Sequence, residues 1–279
     1  MRIDTWLADA SRSLRSQGVS SARLDCLLLL EDALDKDRSW LLAHPEALLD
    51  EPIIRQLEAS LVRRSTHEPM AYIRGHSQVY GHDFLVTPDV LVPRPESEDI
   101  ISLAIGLAQD VNRPVIIDVG TGSGCLAVSA ALAIPGSEVY ATDIDQACLE
   151  VAARNAARHQ ASVTTIRADL LDSFSEDVNN AQLPKQANMI LANLPYVPST
   201  HAINQAASHE PQHAIFGGQD GLKLFRMMFE QISAGTVNSQ HLLTEALPES
   251  HAALAALAQE HCYQLRQTAG FVQLFSRSE

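Results

Sequence analysis

Asn193, Leu194, Pro195 and Tyr196, in the stretch "NLPYVP" that closes an apolar run, combine a side-chain amide, a backbone carbonyl and an aromatic ring within four residues. Proline holds the residue before it in extended backbone, which fixes the direction of the Leu194 carbonyl. The Asn193 side-chain oxygen and that carbonyl are two acceptors, the complement of a planar amino group with two N–H bonds. Tyr196 offers a flat face against such a group. The nitrogen of an amide or aromatic amine is a poor nucleophile because its lone pair is delocalised. Donating both N–H bonds to these acceptors returns electron density to nitrogen and aims its lone pair. The acceleration then comes from positioning and oriented dipoles, with about 7–11 kcal/mol as the upper range. The tetrapeptide leaves two nitrogens open, the exocyclic amine of a base and a side-chain amide.

A second chemical feature lies upstream in "VIIDVGTGSGCLAVSAAL", which reads as strand, glycine-rich turn and helix. Gly120, Gly122 and Gly124, with Thr121 and Ser123 between them, let the backbone turn tightly and approach a ligand. The spacing is GxGxG, whereas pyrophosphate loops use GxGxxG, so an uncharged ribose with an amino-acid tail suits it better than a dinucleotide. Asp118 precedes the turn. Asp143 ends the next expected strand about 19 residues after Gly124, where a carboxylate can accept both hydroxyl hydrogens of an adenosine ribose.

These residues need a frame. Residues 1–68 read as helices, with Ile3, Trp6, Leu7, Ala10 and Leu14 on one face, a serine cap before "ARLDCLLLLEDAL", and a third helix over about 51–66. Residues 69–95 carry short β-rich runs punctuated by Gly75 and Gly81, as a β-hairpin linker would. From 96 to 279 strands and helices alternate. The fold class expected is therefore α/β, a doubly wound, mainly parallel seven-stranded sheet. Only a Gly270 turn separates the last two strands, which should pair antiparallel at one edge. "ANMILANLPY" places Asn193 at the carboxyl end of a central strand, where ligands sit in such sheets.

The 279 residues hold 20 basic against 34 acidic side chains, a formal charge of −14 and a pI near 5.1. That balance opposes a phosphate backbone, so no stable nucleic-acid binding is expected. Cys26, Cys125, Cys148 and Cys262 lack CxxC spacing and signal neither disulfides nor zinc. With no secretory leader and no apolar stretch of about 18 residues, a soluble, cytoplasmic protein without membrane association is expected.

The loop and the spaced carboxylate together resemble the S-adenosylmethionine site of class I methyltransferases, and the tetrapeptide resembles the N-P-P-Y signature of those acting on planar amino groups, with Leu194 where proline is usual. N-L-P-Y is also the form of the rRNA adenine dimethyltransferases. The flanks separate these families. "EPMAYIRGHSQVYGHDFLVTPDVLVPRPESE", "DVGTGSGCLAVSAAL", "NLPYVP" and "EPQHAIFGGQDGLKLFRMM", in that order after a small helical domain, resemble the peptide chain release factor N5-glutamine methyltransferases over nearly the whole chain. "VPRPESE", residues 92–98, is the most specific match. The resemblance implies methylation of the glutamine side-chain amide in the Gly-Gly-Gln motif of class I peptide chain release factors, with S-adenosylmethionine as cofactor. It implies Gly120, Thr121, Gly122, Ser123, Gly124, Asp143 and Leu170 at the cofactor, Leu170 standing where an aromatic residue is common. Asn193 to Tyr196 fall at the substrate, Asn193 also touching the cofactor, and the helical domain recognises substrate. The alternatives are an rRNA or DNA adenine methyltransferase, a ribosomal-protein glutamine methyltransferase, and a cofactor-binding regulator without catalysis.

Three other patterns need a reading. "HEPQH", residues 209–213, satisfies a zinc-protease spacing, but Pro211 breaks the helix that would put both histidines on one face, so no metal is expected. "GGQ" at Gly217, Gly218 and Gln219 is a glycine turn before the helix of "GLKLFRMMFEQI", with Met227 and Met228 as core. Arg94 and Glu96 either contact a ligand or brace the linker.

Overall fold

The computed structural model describes residues 1–174 and 182–278. The chain divides into two compact units, Met1–Gly75 with Ile203–His209, and His76–Ala202 with Glu210–Glu279. The first unit is helical: α1 (Ile3–Ser16), α2 (Ala22–Leu34), α3 (Arg38–Ala43), α4 (Glu51–Ser65) and α5 (Met70–Arg74). The α1 stripe of Ile3, Trp6, Leu7, Ala10 and Leu14 is buried against Cys26, Leu30, Leu41 and Leu57. Asp37 and Asp50 cap α3 and α4, accepting from the Trp40 amide at 2.7 Å and the Ile53 amide at 3.0 Å. Ser21 does not cap α2. Its hydroxyl donates instead to Asp25, 2.8 Å away, and the same buried carboxylate receives Arg64 Nε at 2.7 Å. Helical structure continues past residue 68 through α5 because Met70 and Ile73 pack on the same core and Arg63 Nη2 donates to the Tyr72 carbonyl at 3.1 Å. The hairpin therefore begins at His76. His209 Nε2 lies 2.8 Å from the Thr66 carbonyl, tying the 203–209 segment to the end of α4. Among the described residues no helix is long and apolar enough to cross a membrane.

The second unit opens with the antiparallel hairpin β1 (His76–Val79) and β2 (His82–Leu85), followed by β3 (Val115–Val119), β4 (Glu138–Asp143), β5 (Val163–Asp169), β6 (Asp172–Ser173), β7 (Gln186–Ala192), β8 (Asn238–Glu245), β9 (Tyr263–Ala269) and β10 (Val272–Arg277). Its helices are α6 (Glu98–Ala108), α7 (Cys125–Ala133), α8 (Gln146–Arg158), α9 (Lys223–Ser233) and α10 (His251–Glu260). The large sheet has the order β6-β5-β4-β3-β7-β8-β10-β9. Strands β3, β4, β5, β7 and β8 pair in parallel. At this end of the sheet the reversed strand is β10, antiparallel to both β8 and β9, so it lies one place in from the edge that β9 forms. Two-residue β6 adds an eighth strand at the other edge, beyond the seven expected.

Both sheet faces are covered, which is why the strands read as near-continuous apolar runs. Ile116, in β3, joins Ile100 and Ile101 of α6 and Val128 of α7; its neighbour Ile117 joins Phe225 and Phe229 of α9 and Phe275 of β10. Phe84 of the hairpin is fully buried in the first of these cores. Asn155 of α8, also fully buried, accepts from the Leu85 amide at 2.7 Å and donates to the Leu85 carbonyl at 2.9 Å and the Ser123 carbonyl at 2.8 Å. One side chain thus joins the hairpin's end to the glycine-rich turn.

Asn155→Ala leaves three backbone groups without that partner and is expected to cost about 2–4 kcal/mol, read as a lower denaturant midpoint at unchanged slope. A loss under about 1 kcal/mol would show that the junction does not depend on this amide.

Candidate active site

Sheet order reverses between β3 and β7, and a crevice opens at the carboxyl ends of those strands. A cavity of about 280 Å³ lies there, lined by Gly120 to Ser123, Asp143, Leu170, and Asn193 to Pro195 among others. The structure thus brings the two sequence features to one place, while Tyr196 stands just behind the wall.

Gly120, Gly122 and Gly124 all have positive φ, at 70°, 53° and 78°. Their reasons differ. A side chain at Gly124 would place its Cβ 2.8 Å from Ala152 Cβ of α8, so this glycine serves helix packing and not ligand approach. At Gly120 a Cβ would meet Leu194 Cδ2 at 3.0 Å, while above Gly122 nothing lies within 4 Å. The Gly122 amide donates to Asp143 Oδ2 at 3.0 Å, and the Asp145 amide to Asp143 Oδ1 at 3.0 Å. Each carboxylate oxygen keeps a further lone pair. Burial holds the Asp143 carboxyl above the usual range, opposed by those two amides.

Asp118 is buried more completely. Its Oδ2 accepts from Thr121 Oγ1 at 2.6 Å and from the Ala127 amide at 3.1 Å, closing the turn onto the first residues of α7, whereas Oδ1 has no partner. Burial pushes its pKa to about 7. Leu170 sits with φ 56°, a conformation costly for a leucine. Hydrogen bonds on both sides hold it: Thr142 Oγ1 donates to the Leu170 carbonyl at 2.8 Å, and Gln231 receives the Leu171 amide and donates to the Asp169 carbonyl, each at 3.0 Å.

On the β7 side, Asn193 Nδ2 donates to Ser97 Oγ at 2.7 Å, and Ser97 Oγ donates to Glu245 Oε2 at 2.6 Å. The Tyr196 hydroxyl donates to Glu245 Oε1 at 2.8 Å. Glu245 ends β8 and is 1% exposed; burial raises its pKa, opposed by the two hydroxyls. Burial, with the Glu245 charge beside it, pushes Tyr196 upward as well, so the phenol stays a donor. The Asn193 Oδ1 and the Leu194 carbonyl accept no hydrogen bond among the described residues. Cys125 and Cys148, also in the wall, are pushed up to about 12 by burial and stay thiols.

The segment after Glu210 fixes the backbone around this site. Glu210, from the zinc-like pattern, is buried, accepts from the Val92 amide at 3.1 Å and pairs with Arg94. Arg94 both braces the linker and lines the cavity. Pro211 opens a single 3-10 turn, Gln212–Ala214, in place of a helix. Gly217 and Gly221 pack directly on the Pro195 and Tyr196 carbonyls, where no side chain fits. Gly217 and Gly218 form the turn ahead of α9, and Met228 is buried there as expected. Ser97, Glu245, Gln231 and the two hydrogen bonds that Asp118 accepts from Thr121 and Ala127 were not legible as site features; the serine, the glutamate and the glutamine sit in ordinary-looking contexts with no spacing signal.

Comparison with known proteins follows the same division. Residues 5–75 match the family model "PrmC N-terminal domain", and residues 99–216 match that of ribosomal protein L11 methyltransferase (PrmA). The release factor glutamine methyltransferase of Koribacter versatilis is 37% identical over 235 residues, 83% of this chain and 81% of its own. That of Bordetella pertussis is 39% identical over 207 residues, 72% of each chain. That of Deinococcus radiodurans is 32% identical over 259 residues, 92% of this chain and 90% of its own. The hMettl16 catalytic domain, solved with an RNA hairpin, is 13% identical with a TM-score of 0.51 over 82% of each chain. That likeness identifies the fold as the class I methyltransferase fold.

The Asp118 carboxyl ionises near 3.8 in an unfolded chain and at about 7 when folded. Its ionisation therefore costs nothing well below pH 4, weakens the fold increasingly as pH rises, and takes full effect above pH 7, on the order of 4 kcal/mol. Asp118→Asn should flatten the decline of melting temperature between pH 4.5 and 8, measured without cofactor. An unchanged slope would contradict this assignment.

Proposed function

This chain belongs to the release factor glutamine methyltransferases, and on that premise we propose that it methylates the side-chain nitrogen of the glutamine in the Gly-Gly-Gln motif of class I release factors, with S-adenosylmethionine as donor. One observation carries the reading of the site. Asn193 has its Nδ2 tied to Ser97, which leaves Oδ1 and the neighbouring Leu194 carbonyl as two unused acceptors at the mouth of β7. Two acceptors side by side suit a primary amide, whose nitrogen carries two N–H bonds.

The residues opposite fit the donor. Open space above Gly122 and the Asp143 carboxylate at the end of β4 form a polar cradle, while Leu170 supplies an apolar wall. Gly120, Thr121, Gly122 and Ser123 would hold the amino-acid end, with Gly124 serving only to seat α7 against α8, Asp143 would hold the ribose hydroxyls and Leu170 the base, and Asn193 would lie between donor and acceptor. When bound, the group supplies an electrophilic methyl on sulfur. Asn193 and Leu194 draw the amide protons toward their oxygens and turn the nitrogen lone pair into the cavity. Pro195 keeps the Leu194 carbonyl from rotating. Tyr196, whose hydroxyl is committed to Glu245, braces the tetrapeptide from behind the wall and is no base. Methyl transfer leaves the nitrogen as a cation still carrying both of its protons, and since an amide protonated on nitrogen is a strong acid, it loses one of them to water.

The helical unit is proposed to recognise the protein carrying the glutamine, which its exposed Leu42 and Leu48, 54% and 78% accessible, support. Replacing both with aspartate should raise KM for intact release factor and leave KM for a short Gly-Gly-Gln peptide unchanged; equal effects on the two acceptors would refute that role.

For the site itself, labelled methyl should pass to purified release factor and not to its Gln→Ala version or to stripped rRNA. Asn193→Ala should lower kcat by about 10²–10³-fold, as loss of a preorganised transition-state contact does. Label on the RNA would overturn the glutamine reading, and an unchanged kcat would remove Asn193 from the mechanism.

A further inference from the structure

An asparagine amide has a donor end and an acceptor end of nearly the same shape, and only its partners decide which faces a ligand. Here the partner, Ser97, has a hydroxyl that both accepts and donates, so it does not settle the matter alone. The next group in the chain does. Glu245 Oε2 accepts from Ser97 at 2.6 Å and Oε1 from the Tyr196 hydroxyl at 2.8 Å, so both of its oxygens act as acceptors. Ser97 spends its one proton there and can only accept from the amide, so Asn193 must turn Nδ2 inward and Oδ1 outward. Ser97 and Glu245 are 2% and 1% exposed, and water has little access with which to substitute for either.

We infer that Glu245 is a positioning residue that sets the polarity of the Glu245–Ser97–Asn193 chain, so that the cavity meets the asparagine's oxygen and not its NH₂; the inference rests on the glutamine reading of the site. Its other oxygen holds the Tyr196 hydroxyl at 2.8 Å. The same carboxylate therefore orients both ends of the tetrapeptide, from a strand that contributes nothing to the cavity wall. The sequence places it 49 residues after Tyr196. The consequence is chemical selectivity. A site that presents two oxygens accepts an amide's N–H bonds and repels a carboxylate, whereas a flipped Asn193 would present a donor that welcomes one.

Glu245→Gln tests this with minimal change of shape. Its amide cannot accept from both hydroxyls, so one arm must reverse; Tyr196→Phe measures the cost of the tyrosine arm alone. The expected loss in kcat for Glu245→Gln is about 10²-fold, clearly beyond that of Tyr196→Phe, with affinity for S-adenosylmethionine unchanged. A release factor carrying Gly-Gly-Glu should inhibit the variant more strongly, relative to wild type, because a flipped amide favours a carboxylate. Ser97→Ala cuts the chain at its middle and should cost a similar factor, with Glu245→Gln adding little on top. If Glu245→Gln matches Tyr196→Phe, or if the Ser97 and Glu245 effects multiply, the inference is wrong.

A readout independent of any acceptor separates this from failure of the glutamine reading. In ¹⁵N spectra the Asn193 side-chain NH₂, assigned by its loss in Asn193→Ala, should exchange slowly in wild type and fast in both Ser97→Ala and Glu245→Gln. Fast exchange already in wild type overturns the polarity chain even if methyl transfer to glutamine is found. Slow exchange that both variants abolish upholds it even if the acceptor proves different. The same spectra report whether either variant has unfolded, and the remaining one then decides.

Discussion

Where β3 pairs in parallel with β7 the strand order reverses, and the helices that follow the two strands leave in opposite directions, so nothing of the sheet's own covers their carboxyl ends. Every part of the site hangs from that gap. The glycine-rich turn leaves β3, the Asn193–Tyr196 stretch leaves β7, Asp143 closes β4 on one side and Glu245 closes β8 on the other. A single-residue slip in the β3–β7 register would move Asn193 by one strand position and turn its side chain to the opposite face.

The site is built around acids buried without a cation in contact. Asp118 and Glu245 lie at 1% exposure, the first compensated by the Thr121 hydroxyl and the Ala127 amide, the second by the hydroxyls of Ser97 and Tyr196. Burying a carboxylate in this way opposes folding near neutral pH. What it returns is direction, because a carboxylate can only accept, and each donor attached to it is left with a fixed orientation. Asp118 fixes the glycine-rich turn and Glu245 fixes the tetrapeptide. Local backbone strain follows the same pattern, with Leu170 held at positive φ by Thr142 and Gln231 at the cavity's edge.

The fold could be read from the chain because its signals are periodic. The α1 stripe, the apolar runs of β3 and β7 and the Gly270 turn all report burial or turning at a fixed spacing. The cavity residues were legible where chemistry demands a rare type at a rare spacing, as at Gly120, Gly122, Asp143 and Asn193. Contacts made across long sequence separations were not. Ser97 meets Asn193 across 96 positions and Glu245 across 148, and a serine in a 3-10 turn or a glutamate ending a strand has no local mark of its partner. Gly124 was legible as a glycine but not for its reason, since only α8's approach through Ala152 shows that packing excludes a side chain there. Ser21 illustrates the converse, a local cap signal overridden by a tertiary partner, because Asp25 and Arg64 claim its hydroxyl.

Two oxygens, from Asn193 and Leu194, are proposed to hold a primary amide for methylation. The most direct test is to incubate intact release factor with the protein and S-adenosylmethionine and to locate the added methyl by fragmentation mass spectrometry. One methyl is expected on the side-chain nitrogen of the Gly-Gly-Gln glutamine and none elsewhere in the factor. A methyl on a lysine, an arginine or a carboxylate, none of which presents an uncharged planar NH₂, would contradict it.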